Sequence, residues 1–278
     1  MKAIIWIIAL LMAFLPAVPL RAELDLEQEV LIIPDTHNEK PYIWNVAVNP
    51  KGYTLHLEPG GITAGTETVF RFSIASKAPD TVDALHVFIT DHDLHTFQHL
   101  RPVRESNGYV FPYTAPRSGL YRVEVVFRTP KGWINLRKDI RASGKESAEK
   151  EKKAGDDDYQ IEVKLIPKKI YADHVGTLLF TLSHKGSPVK DLEKVEGADM
   201  QVAVWDKEME EFVYATPKQN LGGPQVAVSI VFTEPGTHAV FAEFRHKGVT
   251  RRVELSLPVY FEPQHLFGSS ESSGPAWW

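Results

Sequence analysis

The chain has 278 residues, 43% of them hydrophobic and 24% charged. That suits about two soluble globular domains. Its formal net charge is −5, and without Lys2 and Arg21 near the N-terminus it falls to −7, which argues against a nucleic-acid binder. There are no cysteines, so disulfides, cysteine nucleophiles, zinc ribbons and iron–sulfur ligation are excluded.

The chain opens with Lys2 and an apolar run from Ala3 to Leu15, broken by Pro16 and Pro19. Arg21-Ala22 then precedes the acidic Glu23-Leu24-Asp25. This is the layout of a signal peptide over residues 1–22, cleaved after Ala22, and it implies a periplasmic or extracellular protein with no stable membrane insertion after cleavage. An uncleaved anchor is the alternative, but the unbroken run is shorter than the roughly 20 residues a span needs.

From residue 41 to 142 the sequence reads as strands. Tyr53, Leu55 and Leu57 alternate with polar residues, as do Phe70, Phe72 and Ile74, and Tyr121, Val123, Val125 and Phe127 alternate with Arg122, Glu124 and Val126. Period two marks a strand with one buried face. Pro59-Gly60-Gly61, Asn107-Gly108 and the stretch from Pro116 to Gly119 punctuate these runs. Residues 143–158 form a charged linker. Ten of the fourteen residues from Lys145 to Asp158 are charged, and none is large and apolar, so the segment cannot bury enough surface to order itself. From 159 to 262 the strand pattern returns in Ile161, Val163 and Leu165, in Val226, Val228, Ile230 and Phe232, and in Val253, Leu255, Leu257 and Val259. The tail at 263–278 is Gly/Ser/Pro-rich and is expected to be disordered; its final Trp277-Trp278 is either a loosely packed end or an anchor for a partner. The expected fold is all-β: two tandem immunoglobulin-like β-sandwiches joined by the charged linker.

The halves resemble each other. Residues 85–104 lie on 200–219 without a gap, with Val87, Asp91, Phe97 and Pro102 on Val202, Asp206, Phe212 and Pro217. Leu85 and Leu94 fall on Met200 and Met209. A tandem duplication follows as an expectation.

Four of the eleven histidines, His86, His92, His95 and His99, fall within fourteen residues. Leu85, Val87 and Ile89 take one face of a strand, which leaves His86, Phe88 and Thr90 on the other. Leu94 and Phe97, three apart, suggest a short helical turn that places His92, His95 and His99 on one face beside Asp91 and Asp93. Such a cluster can bind a divalent metal, form a pH-sensitive contact or simply decorate a solvated face. In the second half Gln201, Lys207, Glu210 and Tyr214 stand in the same places, so the fold itself does not require histidine there. Imidazole and carboxylate without thiolate suit Cu(II) or Zn rather than Cu(I).

Residues Leu85 to Pro102, with His86, Asp93-Leu94, Phe97, His99 and Pro102, the Asn107-Gly108 turn and Gly119-x-Tyr121, resemble bacterial exported Ig-like domains of the YtkA-like kind, found in heavy-metal and copper handling contexts. The chain departs from that pattern at Arg101, where the pattern has a second histidine. The segment Gly119-Leu-Tyr121-Arg-Val123 also resembles the Gly-x-Tyr-x-Cys strand start of immunoglobulin domains, which implies that the Tyr121 hydroxyl ties back to the backbone at a sheet corner. His238 occupies the corresponding corner of the second half and is read as a corner side chain rather than a metal ligand.

No His-Glu-x-x-His, Gly-x-Ser-x-Gly, Walker loop or dinucleotide fingerprint is present. The sequence thus points to a non-catalytic exported binding module, with His86, His92, His95 and His99 as candidate ligands for Cu(II) or Zn. The alternative is a structural or adaptor protein contacting another cell-envelope protein without metal.

Overall fold

The computed structural model describes residues 18–21, 23–25, 47–77, 82–130, 132–144 and 158–261. Most of the expected leader, most of the charged linker and the tail lie outside the described residues.

No helix occurs among the described residues, and the chain forms twenty-one strands there. The first are β1 (Val18–Arg21), β2 (Glu23–Asp25), β3 (Ala47–Val48), β4 (Tyr53–Glu58), β5 (Gly61–Thr63), β6 (Thr68–Ser76) and β7 (Asp83–Asp91). They are followed by β8 (Phe97–Leu100), β9 (Val103–Glu105), β10 (Gly108–Tyr113), β11 (Gly119–Thr129) and β12 (Gly132–Ser143). The second half contains β13 (Tyr159–Ile166), β14 (Ile170–Tyr171), β15 (Val175–His184), β16 (Ser187–Pro188), β17 (Met200–Asp206), β18 (Phe212–Ala215), β19 (Gln225–Val231), β20 (Gly236–His246) and β21 (Val249–Tyr260).

Each half is a two-layer sandwich. In the first, the sheet β4-β6-β10-β9 faces the sheet β3-β12-β11-β7-β8, to which β5 adds in parallel on β12. Leu57, Phe70, Phe72 and Phe111 from one layer meet Val87, Ile89, Val123, Val125, Phe127 and Leu136 from the other, all buried. In the second half, β13, β15, β16 and β19 form one layer with β2, and β21, β20, β17 and β18 form the other with β1 and β14. Val163, Phe180 and Val228 pack there against Val202, Val204, Val240, Phe244 and Val253. Alternating inward residues produce both cores, as the sequence pattern requires.

The N-terminal strands belong to the second half. Val18–Arg21 pairs in parallel with Arg251–Glu254, and Glu23–Asp25 with Glu162–Lys164. The expected cleavage point after Ala22 lies between them.

The outer faces of β7, β11, β17 and β20 are not left to solvent. Phe88, Phe97 and Val126 of the first half meet Ala203, Trp205, Met209, Phe212, Tyr214 and Phe241 of the second in a third buried cluster. Phe97 stacks on Phe241 with ring centroids 4.6 Å apart and planes 5° from parallel, and it meets the edge of Trp205 at 5.9 Å. Polar latches ring this seam. Arg122 donates to the Met209 carbonyl at 2.9 Å, Arg137 to the Glu210 carbonyl at 3.3 Å, and Arg252 to the Phe97 carbonyl while lying over the Phe97 ring. One buried face per strand is therefore the wrong reading for these four strands: both faces are buried, because the halves pack sheet against sheet. The alternation in β17, where every residue is buried, is erased by that second contact.

Candidate metal centre between the two halves

The turn after β7 decides where the histidines go. Asp91 Oδ1 accepts the backbone N–H groups of His95 and Thr96 at 2.8 and 2.9 Å, and the Leu94 N–H donates to the Asp91 carbonyl at 3.0 Å. Leu94 takes a left-handed conformation with φ 57°, and Phe97–Leu100 then pairs antiparallel with Val87–Thr90. The second half repeats the device. Asp206 Oδ1 accepts the Glu211 N–H at 2.7 Å, the Met209 N–H donates to the Asp206 carbonyl at 3.1 Å, and Met209 has φ 62°.

The expected helical turn is therefore a side-chain-capped turn followed by a strand. An aspartate that satisfies two backbone donors offers the chain an alternative to a helix. The Leu94–Phe97 spacing reflects a half-buried turn residue and a seam residue rather than helical periodicity.

As a result the four candidate histidines separate. His92 points to Asp139, with Nε2 to Oδ1 3.4 Å, on a partly exposed surface. His95 is exposed on the turn, where it, Asp91 and Asp93 form a second group whose ligand atoms all lie within 4.8 Å of one another. His86 and His99 come together at the seam. Alternation turns His86 out of its own core, and the β7–β8 pairing brings His99 alongside Phe88, onto which it stacks at 4.4 Å.

His86 Nδ1 lies 3.0 Å from His99 Nε2 and 2.9 Å from Glu196 Oε2. His99 Nδ1 lies 2.9 Å from Glu243 Oε2, and Tyr214 Oη lies 3.4 Å from His86 Nε2. One proton assignment satisfies every group. His99 Nδ1–H donates to the Glu243 carboxylate, so His99 Nε2 carries a lone pair. His86 Nδ1–H then donates to His99 and Glu196, and His86 Nε2 accepts from Tyr214. Burial lowers the pKa of His86 and outweighs the upward pull of its Glu196 hydrogen bond, so the imidazole is held neutral. Burial would raise Glu196, but the hydrogen bond from His86 and the charges around the carboxylate, Arg101 among them, together outweigh it and hold the carboxyl below its usual range. Burial pushes the Tyr214 phenol far up, so it stays protonated.

Glu196 reaches this place from a tight turn. Val195 and Ala198 exchange backbone hydrogen bonds of 2.7 and 3.1 Å, with Glu196 at φ 53° and Gly197 at φ 86° between them. Two consecutive left-handed residues define a two-residue hairpin turn in which Asn or Gly usually takes the first place. A glutamate there is strained by about 1–2 kcal/mol. The other Glu196 oxygen, Oε1, pairs with Arg101 Nε at 2.8 Å.

The donor set is one that could hold a metal ion. His86, His99 and Glu196 each offer one ligand atom, all within 4.8 Å of one another. In a tetrahedral site with bonds of about 2.0–2.1 Å, neighbouring ligand atoms are roughly 3.3 Å apart. His86 Nδ1 lies 3.0 and 2.9 Å from the other two ligand atoms, within a few tenths of an ångström of that spacing, and all three atoms lie within 4.8 Å of one another. The outer partners fit as well, because a ligating histidine characteristically donates its other N–H to a carboxylate, as His99 does to Glu243.

Glu196, Tyr214 and Glu243 were not found by sequence reasoning. Glu243 is 144 residues from His99 and Tyr214 is 128 from His86. The available signal was the aromatic outer face of β7 and β17, where Phe88 and Trp205 stand at positions that would otherwise meet solvent.

The two corner residues lie as expected. Tyr121 donates its hydroxyl to the Arg117 carbonyl at 2.8 Å. His238, fully buried, pairs through Nε2 with Glu211 Oε2 at 2.9 Å.

Residues 152–260 match a family described as "Domain of unknown function (DUF8832)". That span takes in the second sandwich and so contains Glu196, Tyr214 and Glu243. No curated protein matches the chain significantly. Among solved structures, a red sea bream transglutaminase shares 11% identity at a TM-score of 0.25, over 77% of this chain and 32% of that one. A Salmonella alpha-2-macroglobulin mutant shares 14% at a TM-score of 0.28, over 78% and 15%. The Escherichia coli adhesin FdeC shares 16% at a TM-score of 0.25, over 74% and 63%. The chain thus spans less than two thirds of the length of each, and these likenesses carry no argument about activity.

Proposed function

We propose that this is a non-catalytic, exported two-domain binding module that holds one divalent cation, Zn or Cu(II), between its halves. The observation that carries the reading is the meeting of His86, His99 and Glu196 at the seam. Two imidazoles and a carboxylate without sulfur are a borderline-hard set suited to these ions. Two carboxylates, Glu243 buried and Glu196 on an exposed turn, balance the charge of a divalent ion. An ion in the place of the His86 Nδ1 proton meets three lone pairs once His86 carries its proton on Nε2, beside the Tyr214 oxygen. Residues 85–102 also support the reading through their resemblance to YtkA-like domains of metal-handling contexts, and the leader-like N-terminus supports export. A duplication of one sandwich, with ligation specialised across the seam, accounts for the matching turns at Asp91 and Asp206.

Calorimetric titration with Zn and Cu(II) tests this. The wild-type chain and the His92→Ala/His95→Ala variant should each bind one ion. His86→Gln, His99→Gln and Glu196→Gln should lose most of the affinity. Equal binding by the Glu196→Gln variant, which alters an accessible turn and keeps the core intact, would remove the seam site. An adaptor role without metal would show as negligible heats from every protein.

A further inference from the structure

Glu196 already has a cation. Arg101 Nε sits 2.8 Å from Oε1, while Oε2 faces His86. The Arg101 side chain is 54% exposed against 29% for Glu196, so the guanidinium closes the seam from its solvent side. It comes from the first half, just beyond β8, and the carboxylate comes from the second half.

Resting on the metal reading above, we infer that Arg101 is the resident cation of the site and sets its threshold: it occupies Glu196 until a divalent ion arrives, and it competes with that ion. The charge balance supports this. Glu196 and Glu243 supply two negative charges to the seam. Arg101 neutralises one of them, and a divalent ion neutralises both. With the ion in place, a guanidinium hydrogen-bonded to the second oxygen of the ligating carboxylate is a surplus positive charge beside a dication. The same guanidinium withdraws electron density from the carboxylate that must ligate. Its exposure lets it swing into water at little cost, so the ion displaces it rather than being excluded. Geometry also explains why Arg101 is needed without metal. The strained turn at Glu196 is held across the seam by His86 and Arg101.

The test is Zn affinity, measured by competition with a chelating dye, for the full-length wild-type chain, Arg101→Gln, Arg104→Gln and Glu196→Gln. Arg104 is an exposed arginine on β9 and controls for the loss of one positive charge. Arg101→Gln should bind Zn about three- to fivefold more tightly than wild type, the range an exposed ion pair allows. Arg104→Gln should match wild type. Raising the salt concentration should narrow the gap between wild type and Arg101→Gln, because an exposed guanidinium is screened. Zn binding by Arg101→Gln alone would support competition in its strongest form. Equal or weaker binding by Arg101→Gln, with wild type binding and Glu196→Gln not, would overturn the competitor role and leave the metal site standing. No binding by any of the proteins would overturn both.

Discussion

Phe97 is the sharpest probe of how the halves are joined. It stands on β8 of the first sandwich, yet it is 4% exposed because it inserts among Trp205, Phe241 and the Arg252 guanidinium of the second. In an isolated first sandwich the same side chain would lie on the surface, and its loss would cost less than about 0.5 kcal/mol. At the seam, Phe97→Ala removes a buried ring and leaves a cavity, which costs about 3–5 kcal/mol. The lost stacking on Phe241, about 0.5–1.5 kcal/mol for such pairs, pushes the value towards the top of that range. Urea unfolding followed by tryptophan fluorescence measures it directly, since Trp205 lies in the cluster and Trp133 packs against it. The expected outcome is that loss of stability together with separation of one unfolding transition into two, as the halves uncouple. A loss below about 1 kcal/mol would show that the halves do not pack through this face.

Glu124 is fully buried and faces Asn135 Nδ2 at 2.7 Å, Arg137 Nε at 2.9 Å and Trp205 Nε1 at 3.4 Å. Glu124→Ala leaves a guanidinium without its buried partner and should cost about 3–5 kcal/mol by the same unfolding assay. Tyr121→Phe removes the corner hydroxyl and should cost about 1 kcal/mol, with a correspondingly small fall in Tm. Burial alone would raise the Glu211 pKa, but hydrogen bonds from His238, from Thr233 and from the Glu234 N–H outweigh it and hold the carboxyl below 4.5. A folded-state value below the unfolded one means that this stabilisation is complete above about pH 4.5 and is lost as the pH falls through the depressed value. Unfolding free energies measured down to pH 3 should therefore fall less steeply for Glu211→Gln than for wild type; parallel profiles would contradict the assignment.

The two sandwiches were legible because their cores are written in period two. Val123, Val125 and Phe127, or Val226, Val228 and Ile230, face inward whatever happens on the other side of the sheet. The seam was less legible, since alternation reports one buried face and is silent about a second. Val126 interrupts the polar positions of β11, and Phe88 and Trp205 replace polar residues on β7 and β17. These were the marks of a doubly buried sheet. Of the four candidate histidines, the two on paired strands, His86 and His99, come together at the seam. The period-three spacing of Leu94 and Phe97 misplaced His92 and His95, because the Asp91 side chain caps a turn where a helix was expected. The partners from the second half could not be located from local spacing, because Glu196, Tyr214 and Glu243 become neighbours of His86 and His99 only through sheet-on-sheet packing.

X-ray absorption at the zinc edge of the Zn-loaded full-length chain, with Glu196→Gln beside it, tests the central claim most directly. A site shared across the seam gives two imidazole nitrogens and one carboxylate oxygen at about 2.0–2.2 Å in the wild-type chain, and loses the oxygen or the bound zinc in the variant. Three or more imidazoles in the wild-type chain, or an unchanged spectrum in the variant, would place the ion on the histidines of the first half alone and contradict the account.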